Sequence, residues 1–166
     1  MPDKLLFDGS IAIALLMVVL SWRWKSAARA LYALLFLAAG IFNLVTVFTR
    51  MDEYALSERL AYGSWAQRFF LHHTTAIVVA IAIGELLVAV LMTLRNWPVT
   101  VGSLGAVLFL LGIVPLGTPL GTAAGFPVSA ILAFGALLLM TTTFASTLWA
   151  EIGSGFWHHP RAHTVS

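Results

Sequence analysis

The chain has no cysteine among its 166 residues. That excludes thiol–disulfide exchange, cysteine-ligated iron–sulfur clusters and structural Cys₄ zinc sites. Charge is nearly as scarce. Only 10% of residues are Asp, Glu, Lys or Arg, against 60% hydrophobic, whereas a soluble domain carries roughly 25% and 45–50%. The formal charge of +2 is small and scattered, so no basic patch for nucleic acid exists. Soluble-enzyme motifs are missing too: there is no GxSxG, Walker A loop, HExxH or dinucleotide-binding fingerprint. GSLGAVLFLLG, residues 102–112, is a packing pattern, because no strand precedes it.

What is present is apolar sequence gathered into long runs. Five segments stand out: Ser10–Trp22, Ala27–Thr49, Thr74–Leu94, Val99–Val114 and Val128–Trp149. About 20 residues cover a hydrocarbon core roughly 30 Å thick. The expected fold is therefore all-α: a polytopic transmembrane helical bundle in a lipid bilayer, with four core helices and an added N-terminal helix. Allowing for interfacial ends, the spans fall near 8–24, 27–49, 73–95, 98–117 and 127–149. The first segment could be a signal peptide, but Arg23, Lys25 and Arg29 follow its apolar run and oppose translocation. It is read as a retained helix.

Two connections exceed the needs of a hairpin. Residues 50–70 mix charges with Tyr54, Tyr62, Trp65 and Phe69, which suits an amphipathic helix on the outer interface. Residues 115–127, opening with the tandem PLGTPLGT, carry no charge. Their prolines and glycines predict an irregular, partly embedded outer cap. Lys and Arg in the short loops set orientation. Arg23, Lys25 and Arg29 in the first hairpin, with Arg95 and Arg161, mark one side; Lys4, Arg50, Arg59 and Arg68 mark the other, offset by acids. The prediction is N-terminus outside and C-terminus cytoplasmic. Trp22, Trp24, Trp97, Trp149 and Trp157 fall at the inner helix ends, as interfacial anchors do.

The chemical candidates are few. IVVAIAIGELLVAVLM, residues 77–92, holds one acid, Glu85, close to the middle of its span. An intramembrane carboxylate faces the bundle interior, is protonated, or pairs with another polar group. Thr74 lies eleven residues earlier, about 20° away on the helix wheel, and so shares its face. Asn43, the one amide in the apolar part of the second segment, is the expected partner, with Gly40 one turn earlier permitting close helix approach. Such a pair is a proton relay, a ligand anchor for a quinone or lipid headgroup, or interhelical glue. Thr141, Thr142 and Thr143 are expected within the last helix, satisfying its own carbonyls.

His72-His73 and His158-His159 invite metal or haem hypotheses. Three crossings separate the two clusters and put them on opposite faces, so no bis-His haem can bridge them within one protomer. A metal site at the outer mouth would use His72 and His73, completed by Asp52, Glu53 or Glu58.

With the helices placed, the chain resembles the DoxX-like group of small four-helix bacterial membrane proteins over residues 27–150. In that group a G-x-x-polar motif closes the first family helix, matched by Gly40 and Asn43, and an E-L-x-x-x-x-L motif marks the second, matched by Glu85 and Leu86. The chain departs from the pattern in its added N-terminal helix, in Asn43 where a basic residue is common, and in the PLGTPLGT insert. The resemblance implies a bacterial inner membrane and association with membrane redox or quinone-linked complexes, and no catalytic mechanism. Three readings follow. The chain is an accessory subunit packed against other membrane subunits or its own copies, or a small carrier or quinone-linked enzyme using Glu85, or an outer-face metal-binding protein.

Overall fold

The computed structural model describes residues 2–49, 64–112 and 121–154, and all regular structure among them is helical. The helices are α1 (Pro2–Arg23), α2 (Lys25–Thr49), α3 (Ser64–Thr93), α4 (Trp97–Gly112), α5 (Gly121–Met140) and the short α6 (Leu148–Ser154). Two stretches, Lys25–Thr49 and His72–Thr93, are long and apolar enough to cross a membrane.

The first five helices pack as a closed ring: α1 on α2, α2 on α3, α3 on α4, α4 on α5, and α5 back on α1. The N-terminal helix is thus a full member of the ring, supplying Ala14, Met17 and Ser21 to the interior. Its end is abrupt. Trp24 alone separates α1 from α2, its N–H donating to the Leu20 carbonyl and its own carbonyl accepting from the Ala28 N–H. The last turn of one helix therefore hands directly to the first turn of the next.

Glycine sets the closest crossings. At Gly40 of α2 a β-carbon would stand 2.8 Å from Leu86 Cγ and 3.0 Å from the Ala82 carbonyl oxygen of α3. At Gly102 of α4 it would stand 3.0 Å from Leu91 Cβ. Small residues at such points let backbones approach where larger ones hold them apart. The interior between the helices is filled by Tyr32, Phe36, Met92, Val99 and Leu139, with Phe36 and Phe109 edge-to-face at 6.1 Å.

Several expected boundaries shift. The last apolar segment is not one helix over 127–149: α5 ends at Met140, residues 141–147 are non-helical, and α6 follows. The three threonines begin this break. Thr141 Oγ1 donates to the Leu138 carbonyl and the Thr142 N–H to Leu139, both i−3 bonds that tighten the final turn. Bonds from Arg29 and Asn96 to the Ser146 and Phe144 carbonyls then hold the break open. The cap expected over 115–127 is corrected in its second half, because 121–127 is helical and Pro127 lies inside α5. A proline removes one backbone bond but leaves the helix intact when neighbours pack around it. Residues 115–120 lie outside the described residues, as do 50–63 of the expected outer helix. Residues 64–70 instead open α3, which is bent at His73 (φ −122°, ψ 18°).

Candidate functional site

Among the described residues two polar centres sit inside the ring, one in the second half of α2 and of α3 and one at the bundle end where α1 passes into α2.

The first joins Asn43 and Glu85. The Asn43 amide nitrogen donates to Glu85 Oε2 at 2.7 Å. Glu85 is 8% exposed and Asn43 is half-buried. Gly40 creates this geometry: with no β-carbon it lets α3 approach at Ala82 and Leu86, which brings the next residues on each face, Asn43 and Glu85, to hydrogen-bonding distance. Gly40-x-x-Asn43 and Glu85-Leu86 therefore face each other across one helix crossing. Thr74 is not part of the pair. It shares the helix with Glu85 but stands eleven residues away, about 16 Å along the axis. Thr46, buried one turn beyond Asn43 on α2, is the nearer polar neighbour in the chain.

The second centre departs from the sequence expectation. Arg29, counted with the first hairpin for orientation although the expected span 27–49 includes it, lies inside α2 and is completely buried. Its Nε donates to the Met92 carbonyl at 2.5 Å, and Nη2 donates to the Leu94 carbonyl. Nη1 donates to the Ser146 carbonyl at 3.2 Å and faces Glu151 Oε1 at 3.4 Å. The guanidinium also lies 4.8 Å from the centroid of the Phe144 ring. Ser146 Oγ donates to the same Glu151 oxygen at 2.5 Å. One cation thus ties together the start of α2, the carbonyls ending α3, the non-helical 141–147 segment and α6. The planar guanidinium suits this task, since its five donors in a wide fork reach acceptors farther apart than a compact ammonium can. The Asn96 N–H donates to the Phe144 carbonyl at 2.7 Å and fastens the α3–α4 turn to the same segment.

The sequence does hold a signal for Arg29. It precedes Gly40 by eleven residues and Asn43 by fourteen, both spacings that return to the same helix face. Tyr32 follows the same rule, eleven residues before Asn43. Its buried hydroxyl donates to the Leu132 carbonyl at 2.6 Å, and a β-carbon at Gly135 would collide with it. Glu151 has no comparable signal, because it follows the last apolar run and its place is set by the break inside that run.

His72 and His73 are exposed at the bend of α3. Among the described residues no group of three or more potential ligands could hold a metal ion. Asp52, Glu53, Glu58, His158 and His159, which the metal and haem hypotheses invoke, lie outside the described residues. Thr141, Thr142 and Thr143 are corrected from helical to non-helical positions.

No known protein family, curated protein or solved structure matches the chain.

Proposed function

We propose that the chain is a small integral membrane protein whose ring of five helices crosses the bilayer, serving as an accessory subunit of a larger membrane redox or transport complex. The distribution of polarity carries the membrane part of this reading. Positions facing outward on all five helices are large and apolar, including Leu16, Phe42, Ile83, Leu108 and Phe134, while Arg29, Glu85, Ser103 and Ser129 are buried within. A soluble bundle has the opposite arrangement. The apolar stretches of α2 and α3 are only 33% buried, unlike core helices of a soluble protein.

The accessory role draws on the bond within the central pair: Asn43 donates to Glu85 across the α2–α3 crossing, which gives the buried acid a packing task without a catalytic one. Such a bond fixes one helix crossing, contributing on the order of 0.6 to 1.7 kcal/mol in a membrane bundle. Its setting also suits contact with a quinone or lipid headgroup brought by a partner. Orientation with the N-terminus outside, in a bacterial inner membrane, belongs to the same proposal, as does kinship with the DoxX-like group.

Purification in mild detergent, followed by identification of co-purifying subunits, tests it. The expected result is a stoichiometric membrane partner, retained when Glu85→Gln is introduced, because an amide still bonds Asn43. Recovery of the chain alone under every mild condition would sink the accessory role. The second reading, a carrier or quinone-linked enzyme, draws on one observation, an acid buried mid-helix. There Glu85→Gln would leave folding intact and abolish proton-coupled transport or quinone reduction in proteoliposomes.

A further inference from the structure

We propose that the bundle end built from the α1–α2 junction, the α3–α4 turn and the 141–147 segment is a collar that binds anionic phospholipid headgroups. The proposal rests on the membrane reading above and adds the lipid class and the residues that select it.

Among the described residues, three cations stand at the surface of this end. Arg23 and Lys25 flank Trp24 at the α1–α2 junction, and Arg95 lies in the turn between α3 and α4. Arg29 holds the two junctions together: it sits one turn inside α2 from Lys25 and bonds the carbonyl of Leu94, the neighbour of Arg95. Arg23 and Arg95 are exposed and Lys25 is half-buried. None of the three forms an ion pair with another described residue. Glu151 is the one described carboxylate at this end, and its facing oxygen is taken by Arg29 and Ser146. Asp8 lies toward the opposite end of α1. The collar therefore keeps its positive sign even though Arg29, a cation of the same junction in sequence, is buried and internally neutralised.

Aromatic residues mark the depth. Trp22, Trp24, Trp97 and Trp149 are 74, 51, 71 and 69% exposed around the same end. Indole rings settle at headgroup level, with the ring among acyl chains and the N–H toward the polar layer. This places the three cations at the phosphate plane. Zwitterionic headgroups also present phosphate but carry a compensating ammonium, whereas anionic headgroups leave net charge for the collar to meet. The cytoplasmic leaflet, with its negative surface potential, is the matching surface.

The test uses the full chain in lipid nanodiscs containing phosphatidylcholine and phosphatidylglycerol, with brominated acyl chains on one lipid or the other. Tryptophan quenching, read in a W65F background because Trp65 opens α3 at the opposite end, then reports which lipid surrounds the collar. Brominated phosphatidylglycerol is expected to quench more strongly than its molar share, and added salt is expected to reduce the excess. Each neutralised cation should weaken the preference about fivefold, so R23Q/K25Q/R95Q should lose on the order of 100-fold. The charge-keeping R23K/R95K should retain it, and circular dichroism verifies that both variants are folded. Equal quenching by the two lipids in the wild type would overturn the proposal, as would an undiminished preference in the triple variant. Quenching by neither lipid would overturn the membrane reading itself and the collar with it.

Discussion

Replacing Arg29 with methionine is the most informative perturbation of this fold. Methionine keeps much of the length and the apolar stem but removes every donor. In the native arrangement the guanidinium serves the carbonyls of Met92, Leu94 and Ser146 and faces the Glu151 carboxylate, itself 17% exposed. Breaking a buried ion pair from one side costs about 3–5 kcal/mol, because the remaining charge is left without its partner. The carbonyl of the exposed Leu94 can turn to water, whereas the buried Met92 carbonyl is left without its donor, which keeps the loss well inside that range. A total of about 4 kcal/mol is a large share of the roughly 5–15 kcal/mol that stabilises a typical domain. Arg29→Lys should recover only part of it, since a single ammonium cannot span acceptors on α3, α6 and the segment between α5 and α6. The double substitution R29M/E151M should stand closer to wild type than R29M alone, because it removes the stranded charge together with its partner. Unfolding by SDS in mixed micelles, followed by tryptophan emission, measures all three. If R29M unfolds within about 0.5 kcal/mol of wild type, the range of an ordinary surface change, the cation is not the fastener described here.

Two smaller tests probe the surrounding geometry by the same unfolding assay. Gly135→Ala should cost about 1–3 kcal/mol, because its β-carbon meets the Tyr32 hydroxyl; Tyr32→Phe in the same chain should relieve much of that cost, and simple additivity of the two changes would refute the contact. Asn96 holds the α3–α4 turn at φ 59°, a left-handed conformation that Asn tolerates and β-carbon residues without a short polar side chain resist. Asn96→Ala should therefore cost about 1–2 kcal/mol, while Asn96→Gly should lie within about 0.5 kcal/mol of wild type.

Much of the central pair is legible in the amino-acid sequence. Asn43 and Glu85 are rare residue types inside apolar runs, and helical spacing places Gly40 and the amide on one face. The resulting expectation, a small-residue crossing with an amide opposite an acid, is the geometry found at 2.7 Å. Thr74 shows the limit of wheel reasoning. Two residues can share a face and still be about 16 Å apart, because angle says nothing about height.

Arg29 shows a different limit. Loop cations and buried cations are the same letter in a sequence, and the local context, a charged junction after Trp22-Arg23-Trp24-Lys25, favours the loop. The face it shares with Gly40 and Asn43 carries the contrary information. What cannot be read locally is the set of acceptors. Met92, Leu94, Ser146 and Glu151 lie 63 to 122 positions away along the chain, and a carbonyl oxygen is present at every residue. The break after Met140 has the same origin. The TTTFAST run from 141 to 147 permits a helix as readily as a loop, and the bonds from Arg29 and Asn96 to the Ser146 and Phe144 carbonyls select the loop.

The amino-acid sequence alone thus determined that the chain is helical and apolar, roughly where most of its helices begin, and which rare polar residues had to turn inward. Those properties follow from local periodicity and from the cost of burying an unpaired polar group. Only the tertiary structure decided that α1 closes the ring, that Arg29 leaves the surface to bind three backbone carbonyls, and that the last apolar run is broken into two helices. These depend on which distant acceptors arrive within hydrogen-bonding reach of a donor, and that is a property of the packed ring rather than of any segment within it.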